Sequence, residues 1–183
     1  MFVSLSPWLL ISGPDSLKQR IPARQLYSVM KKQGTIKEYI ESVIKTSRFA
    51  VLATESDGQP HTSLIAITPA DGFRQLIFAT YRNTRKYRNL LHNNKVALLI
   101  EGEYVNINGL KEKLALSIIG HTEDISIAEN KAAFKAHLKK HPQMESFMLS
   151  SDCALIKVFA QSYQFVSGID EIRWITAEDL DAI

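Results

Sequence analysis

The sequence predicts a mainly β domain, a small antiparallel barrel or α+β sheet of about six strands with flanking helices. Three observations carry that expectation. Short apolar, β-branched or aromatic runs recur between Phe49 and Val166. The first three are separated only by the turn signals Asp57-Gly58 and Pro69-Ala70-Asp71-Gly72, too short for parallel crossovers, so the strands pair antiparallel. Only two or three segments carry helical periodicity, which argues against alternating βαβ units.

The elements follow in order. Residues 1–34 combine an apolar start, the turn Gly13-Pro14-Asp15-Ser16 and a weakly helical stretch interrupted by Pro22 and ended by Gly34. They form an N-terminal extension, and residues 35–183 form the domain. Thr35 followed by Glu38 is a capping box, and Ile36, Ile40, Val43 and Ile44 share one helical face, so a helix runs from Ile36 to about Ser47. Phe49–Thr54 and Pro60–Thr68 read as a hairpin about Asp57-Gly58, with Gln75–Thr80 as the next strand after a turn at Pro69–Gly72. Val96–Glu101, Leu114–Thr122, Cys153–Phe159 and Tyr163–Val166 complete the strands. Ser126–Lys140, with Ile127, Ala133, Phe134 and Leu138 among lysines, reads as a surface helix capped by Ser126.

Composition narrows the function. The 183 residues are 45% hydrophobic and 22% charged, with eight Gly and six Pro, which excludes disorder and collagen-like or low-complexity sequence. A chain of this length buries one sizeable core without a metal or disulfide staple. The single cysteine, Cys153, excludes an internal disulfide and cysteine-based zinc frameworks. The apolar run Phe2–Ile11 is interrupted by Ser4, Ser6 and Pro7 and falls short of the roughly 20 residues of a spanning helix. It lacks the basic residues that precede the apolar core of a secretory signal, so a cytoplasmic protein without membrane contact is expected.

Net charge is only +3, but Tyr81–Lys95 holds Arg82, Arg85, Lys86, Arg88 and Lys95 with no acid. This segment leaves a strand and, from about Thr84, reads as a helix of two turns with Asn83 or Thr84 as its N-cap. The helix dipole favours acids in a first turn, yet this one carries Arg85 and Lys86, with Arg82 just before it. Unpaired amides, a capping hydroxyl and converging cations make an anion site, with phosphate the obvious occupant. A solvated basic helix is the plainer reading, and Tyr81 and Tyr87 would also suit a nucleic-acid stacking patch. The slightly acidic remainder supplies no tracking groove, so no nucleic-acid partner is expected.

Phe49-Ala50-Val51-Leu52-Ala53-Thr54, Asp57-Gly58-Gln59-Pro60-His61-Thr62-Ser63-Leu64-Ile65, Leu76-Ile77-Phe78-Ala79-Thr80, Thr84-Arg85-Lys86-Tyr87-Arg88-Asn89-Leu90 and Val96-Ala97-Leu98-Leu99-Ile100, in that order, together resemble the pyridoxamine 5'-phosphate oxidase-like family of FMN-binding split barrels. The resemblance covers Thr35 to Gly120 well and the later strands loosely. It implies that Arg85 and Lys86 hold the FMN phosphate, with Thr80 and Tyr81 close by. It also implies that the strand carrying Ser63, Leu64, Ile65, Ala66 and Thr68 runs along the isoalloxazine edge and binds it through main-chain groups. A homodimer with flavin at the interface follows from the same resemblance.

The family's oxidases carry Arg and Lys at the two ends of the flavin-edge strand, where this chain has Ser63 and Thr68. Their glutamine near the flavin is replaced by Ala115 or an apolar neighbour, and their Arg-Leu-x-Pro ending has no counterpart in Arg173-Trp174-Ile175-Thr176. Fold and cofactor are therefore expected to carry over, and vitamin B6 oxidation is not. The expected function is an FMN-dependent oxidoreductase acting on a small substrate by hydride transfer through flavin N5, with no side chain assigned as acid or base. The alternative is a binding module that holds flavin, deazaflavin or haem as a sensor, store or electron carrier.

Single residues add little. His61 starts the flavin-edge strand and reads as a surface histidine, the alternative being a contact to the phosphate or a substrate. His121 reads as a strand-end residue and His92, His137 and His141 as helical or loop surface residues; His137 and His141 lie one helical turn apart, but with no third ligand evident none is assigned to a metal. Trp174 covers flavin across a dimer or packs on the partner. Cys153 reads as a buried small hydrophobe. No Ser-His-Asp order, paired carboxylates or phosphate-binding glycine loop supports acyl transfer or nucleotide hydrolysis.

Overall fold

The computed structural model describes residues 36–105, 111–167 and 171–182. The expected extension, residues 1–34, lies outside them. Helix α1 (Ile36–Thr46) turns Ile40, Val43 and Ile44 inward, as the heptad-like spacing predicts. Strands β1 (Phe49–Ser56) and β2 (Gln59–Ala66) form a hairpin that pairs Ser56 with Gln59 around Asp57 (φ 55°) and Gly58 (φ 76°). Both turn residues lie in the left-handed region that a two-residue hairpin loop requires, which is what Asp-Gly supplies. After them come β3 (Thr68–Asp71), β4 (Gln75–Tyr81), α2 (Arg85–His92), β5 (Lys95–Val105) and β6 (Lys111–Ile125). The chain then forms α3 (Lys131–Lys140), a 3-10 turn (Pro142–Met144), α4 (Glu145–Met148), β7 (Cys153–Ser167), β8 (Glu171–Thr176) and α5 (Ala177–Asp181).

The eight strands form one antiparallel sheet in the order β2-β1-β5-β6-β7-β4-β3, with β8 added to β7. The sheet does not close: β2 and β3 end its order, and β8 is a further edge beside the C-terminal half of β7. The fold is a split barrel, mainly β with flanking helices. Inside lie Leu52, Leu76, Phe78, Leu98, Ile100, Leu116, Ile118, Ile156 and Tyr163, all almost fully buried, with α1 packed on β3 and β5. Along β1 burial alternates as a half-covered strand should, Ala50, Leu52 and Thr54 inward and Phe49 and Val51 outward. On β4 residues Leu76–Thr80 are all buried, because α3 and α4 cover its outer face: Ile77, Ala79, Cys153 and Leu155 pack with Met148, Phe134 and Phe147. Cys153 is buried, and burial pushes its thiol pKa up.

Four expectations need correction. The run Pro60–Thr68 is not one strand. Its main chain breaks at Ile67, whose N–H donates to Arg48 O at 3.0 Å and whose carbonyl accepts from His141 Nε2 at 3.0 Å, and the chain crosses the barrel opening from β2 to pair with β4. Pro69 and Ala70 lie in β3, and the turn comes later, where Arg74 N–H donates to Asp71 O at 2.8 Å. Helix α3 starts at Lys131, not Ser126, because Ser126 closes a separate turn by accepting from Glu129 N–H and Asn130 N–H. His137 and His141 are not surface residues: on α3 and at its C-cap, both are fully buried against Thr68 and Ile67.

Strands β6 and β7 are longer than expected and slip register between Ile119 and Gly120. A Cβ on Gly120 would lie 2.0 Å from Phe159 O, so the close approach of these two backbones requires glycine. No helix among the described residues is long and apolar enough to cross a membrane.

Candidate functional site

Strand β4 pairs with β3 only over its first half, Gln75–Ile77. Its second half, Phe78–Tyr81, pairs with β7 alone, beside the opening of the barrel, and the chain then turns into α2. Thr84 is the N-cap: its Oγ1 accepts from Tyr87 N–H at 3.4 Å and donates to Tyr81 O at 2.7 Å. Thr80 Oγ1, buried at the end of β4, lies 3.0 Å from Thr84 Oγ1. Because Thr84 spends its one proton on Tyr81 O, Thr80 is the donor of that pair. The cap leaves the main-chain N–H groups of Arg85 and Lys86, the first two helical residues, without intrahelical acceptors. Replacing Thr84 with alanine is expected to lower stability by about 1 kcal/mol in denaturant unfolding, and an unchanged midpoint would show that the cap contributes nothing.

The cations of this segment divide into two groups. Arg82 is engaged by other side chains: its guanidinium donates to Asp124 and to the Tyr87 hydroxyl, and Tyr87 Oη donates to Asp124 Oδ2 at 2.7 Å. Arg82 is thus committed to Asp124 and Tyr87, whereas the sequence offers it as a cation free to converge with Arg85 and Lys86. Arg85 is exposed. Lys86 is half-buried, and burial alone holds its ammonium below its ordinary pKa, with no acidic partner among the described residues. A partly desolvated, unpaired ammonium next to two free amides is a place where an anion lowers the energy.

Helix α2 is tied to the hairpin. Its buried Asn89 donates through Nδ2 to Thr54 Oγ1 at 3.0 Å, and Thr54 Oγ1 donates to His61 O at 3.3 Å. Of the residues expected along a flavin edge, Ser63 is half-buried with Oγ 3.5 Å from His61 Nδ1, Leu64 points outward at 70% exposure, Ile65 enters the core and Ala66 pairs with Phe49. Thr68 stands apart on β3, its buried hydroxyl 2.9 Å from His137 Nδ1. Since β2 is an edge strand, alternate main-chain groups face away from β1 into the opening.

Side-chain chemistry on β2 is thus sparse, and main-chain chemistry is available. Tyr81 is half-buried and packs edge-on against Phe147, centroids 4.4 Å apart. Two features were beyond sequence reasoning. The Arg82–Tyr87–Asp124 cluster joins residues 42 positions apart. A single register row on the outer face runs Leu64, Val51, Leu99, Ser117, Gln164, Trp174 across β2, β1, β5, β6, β7 and β8. Its Leu64, Val51 and Leu99 are all exposed. Among the described residues no group of three or more His, Cys, Asp or Glu is placed to hold a metal ion.

Solved structures share this fold. A haem-binding protein from Mycobacterium smegmatis superposes with a TM-score of 0.70 at 20% identity, covering 82% of this chain and 61% of that one; the chain thus spans about three-fifths of that protein's length. An FAD-binding protein from Mesorhizobium loti gives a TM-score of 0.58 at 13% identity over 70% of this chain and 90% of its own. HutZ, the haem storage protein from Vibrio cholerae, gives 0.59 at 15% identity over 72% and 94%. At these identities the likeness is one of fold, and no curated protein matches. The family model for pyridoxamine 5'-phosphate oxidase matches residues 36–161, which takes in α1, the hairpin, the capped α2 and most of β7, and the chain belongs to that family.

Proposed function

We propose that the chain is an FMN-binding flavoprotein of oxidoreductase type that works as a homodimer. The observation that carries this reading is Lys86, a half-buried ammonium with no acid beside it among the described residues, at the capped start of α2. The donor set suits a phosphate monoester: two free main-chain N–H groups, Lys86 and the more exposed Arg85, with Thr80 and Thr84 fixing the turn. The open edge of β2, from Ser63 to Ala66, offers main-chain donors and acceptors to a planar heteroaromatic ring, which demands little of the side chains there. FMN, when bound, supplies hydride exchange at its N5. The protein's part is to anchor the phosphate, orient the ring and keep water from one face.

The apolar row Leu64, Val51, Leu99 favours a second copy as its cover. Three exposed aliphatic side chains abreast on a sheet, with Phe49 at 48% exposure one step along β1, make a patch that a monomer does not ordinarily leave in water. Trp174, in the same row, then packs at the partner. The names of the fold neighbours favour a second reading, a module that binds haem or flavin without turnover. His121, half-buried and stacked on Phe159 at 5.1 Å, is the outer-face histidine that haem binding would use.

Titrating the purified protein with FMN and with riboflavin, followed by flavin fluorescence, tests the reading. Saturable binding with a clear preference for FMN is expected, from a dimer in sedimentation equilibrium. Equal affinity for the two flavins would remove the phosphate site. A Soret band that is lost when His121 is replaced would turn the assignment to haem.

A further inference from the structure

Both ends of the segment that carries Thr84, Arg85 and Lys86 are tied to one atom. Arg82, two residues before the cap, donates to Asp124 Oδ2, and Tyr87, immediately after Lys86, donates to the same oxygen at 2.7 Å. Arg82 also donates to the Tyr87 hydroxyl, and its guanidinium carbon lies 5.2 Å from the Tyr87 ring centroid. The Arg82 main-chain N–H is held in turn by Asp152 O at 2.9 Å. Asp124 stands on β6, opposite Ile156 of β7, two strands from the β4 end that the segment leaves.

The carboxylate is not part of the core. Its side chain keeps 30% exposure and the Arg82 side chain 43%, so packing alone does not explain an Arg–Tyr–Asp cluster here. Its effect is geometric: six residues, 82–87, are closed into a loop over the barrel rim, and the cap and Lys86 inside it lose their freedom to translate along the sheet. It also has an electrostatic effect, since Asp124 neutralises Arg82, a cation that, if released, would attract an anion in its own right.

We propose that Asp124, acting through Arg82 and Tyr87, is a positioning residue that fixes the helix start for a phosphate monoester. The proposal rests on the phosphate reading given above. Preorganised donors bind with less ordering cost than mobile ones, and groups in one hydrogen-bonded network couple by amounts that correspond to about a tenfold change in affinity. Loss of the clamp and release of Arg82 act in opposite directions on an anion, so the sign of the effect separates them.

The test measures affinities for FMN and riboflavin in the wild-type chain and in D124N, D124E and Y87F, with thermal unfolding of each. The expected result is that D124N loses about tenfold in FMN affinity, riboflavin affinity is unchanged, and D124E recovers most of the loss. Y87F, which keeps the ring and removes only one anchor, shows a smaller loss in the same direction and guards against a D124N chain that fails to fold. Unchanged or increased FMN affinity in D124N or Y87F overturns the proposal, whatever happens to the melting temperature. So does an equal loss for both flavins, which marks a purely structural role. A wild-type chain that does not prefer FMN to riboflavin fails one step earlier, at the phosphate reading, and takes the positioning role with it.

Discussion

Replacing Lys86 with alanine is expected to weaken FMN binding by about ten- to a hundredfold and to leave riboflavin binding where it was. The magnitude follows from one charge-assisted hydrogen bond, about 1.5–3 kcal/mol in a partly desolvated setting. The setting is the argument. Lys86 is the cation of the basic segment whose pKa burial depresses without a compensating acid, so the folded chain carries the desolvation cost and an incoming phosphate offsets it. Arg85, exposed beside it, keeps most of its hydration, and its replacement costs less because solvent screens it. Isothermal titration with the two flavins reads the difference directly. If Lys86→Ala binds FMN as the wild type does, the anion site is not at the start of α2.

The basic segment also shows where sequence reading reaches its limit. Thr84 is legible as a cap because capping is local: a hydroxyl, a first turn and a strand before it lie within a few residues. Asp57-Gly58 is legible for the same reason. Arg82 reads as a third cation of the site because its neighbours are Arg85 and Lys86, whereas its partner Asp124 is brought in only by the pairing of β6 with β7. Strand β3 was hidden by its composition. Thr-Pro-Ala-Asp is turn chemistry, yet an edge strand tolerates a proline that donates no ladder hydrogen bond, and β3 is an edge. The main-chain surface of β2 leaves no side-chain signature, so Ser63 to Ala66 enter through family resemblance and the open edge, and not through any residue type.

His137 and His141 were legible as a pair one helical turn apart but not as buried, because a lysine-rich helix reads as solvated throughout. Acidification is expected to destabilise the protein through them. His137 Nδ1 meets the Thr68 hydroxyl and His141 Nε2–H donates to Ile67 O, while His137 Nε2 and His141 Nδ1 are buried without a hydrogen-bond partner among the described residues. The rings lie 4.9 Å apart, and Lys140 and Arg48, the charged side chains that act on them among the described residues, are both cations. Burial, with His141 and Lys140 beside it, lowers the His137 pKa from 6.5 to about 4. Burial also lowers that of His141, opposed by its bond to the Ile67 carbonyl.

An unfolded chain takes up these protons near pH 6.5, and the folded chain takes up that of His137 only near pH 4. Between those values the unfolded state binds more protons, so stability is complete above about pH 6.5 and declines as pH falls towards 4. His137 alone accounts for about 3 kcal/mol of that decline, and His141 adds to it in the same direction. Since both imidazoles hold α3 to the chain crossing at Ile67 and Thr68, the loss begins where β2 passes into β3. Urea unfolding of the wild-type chain and of His137→Gln at neutral pH and near pH 4.5 measures this. The glutamine amide keeps a partner for Thr68 and does not titrate, so the variant is expected to be less stable at neutral pH and to lose markedly less on acidification. Equal losses in the two proteins would show that His137 is already charged in the folded state or never leaves water, and would remove the pair from the acid response.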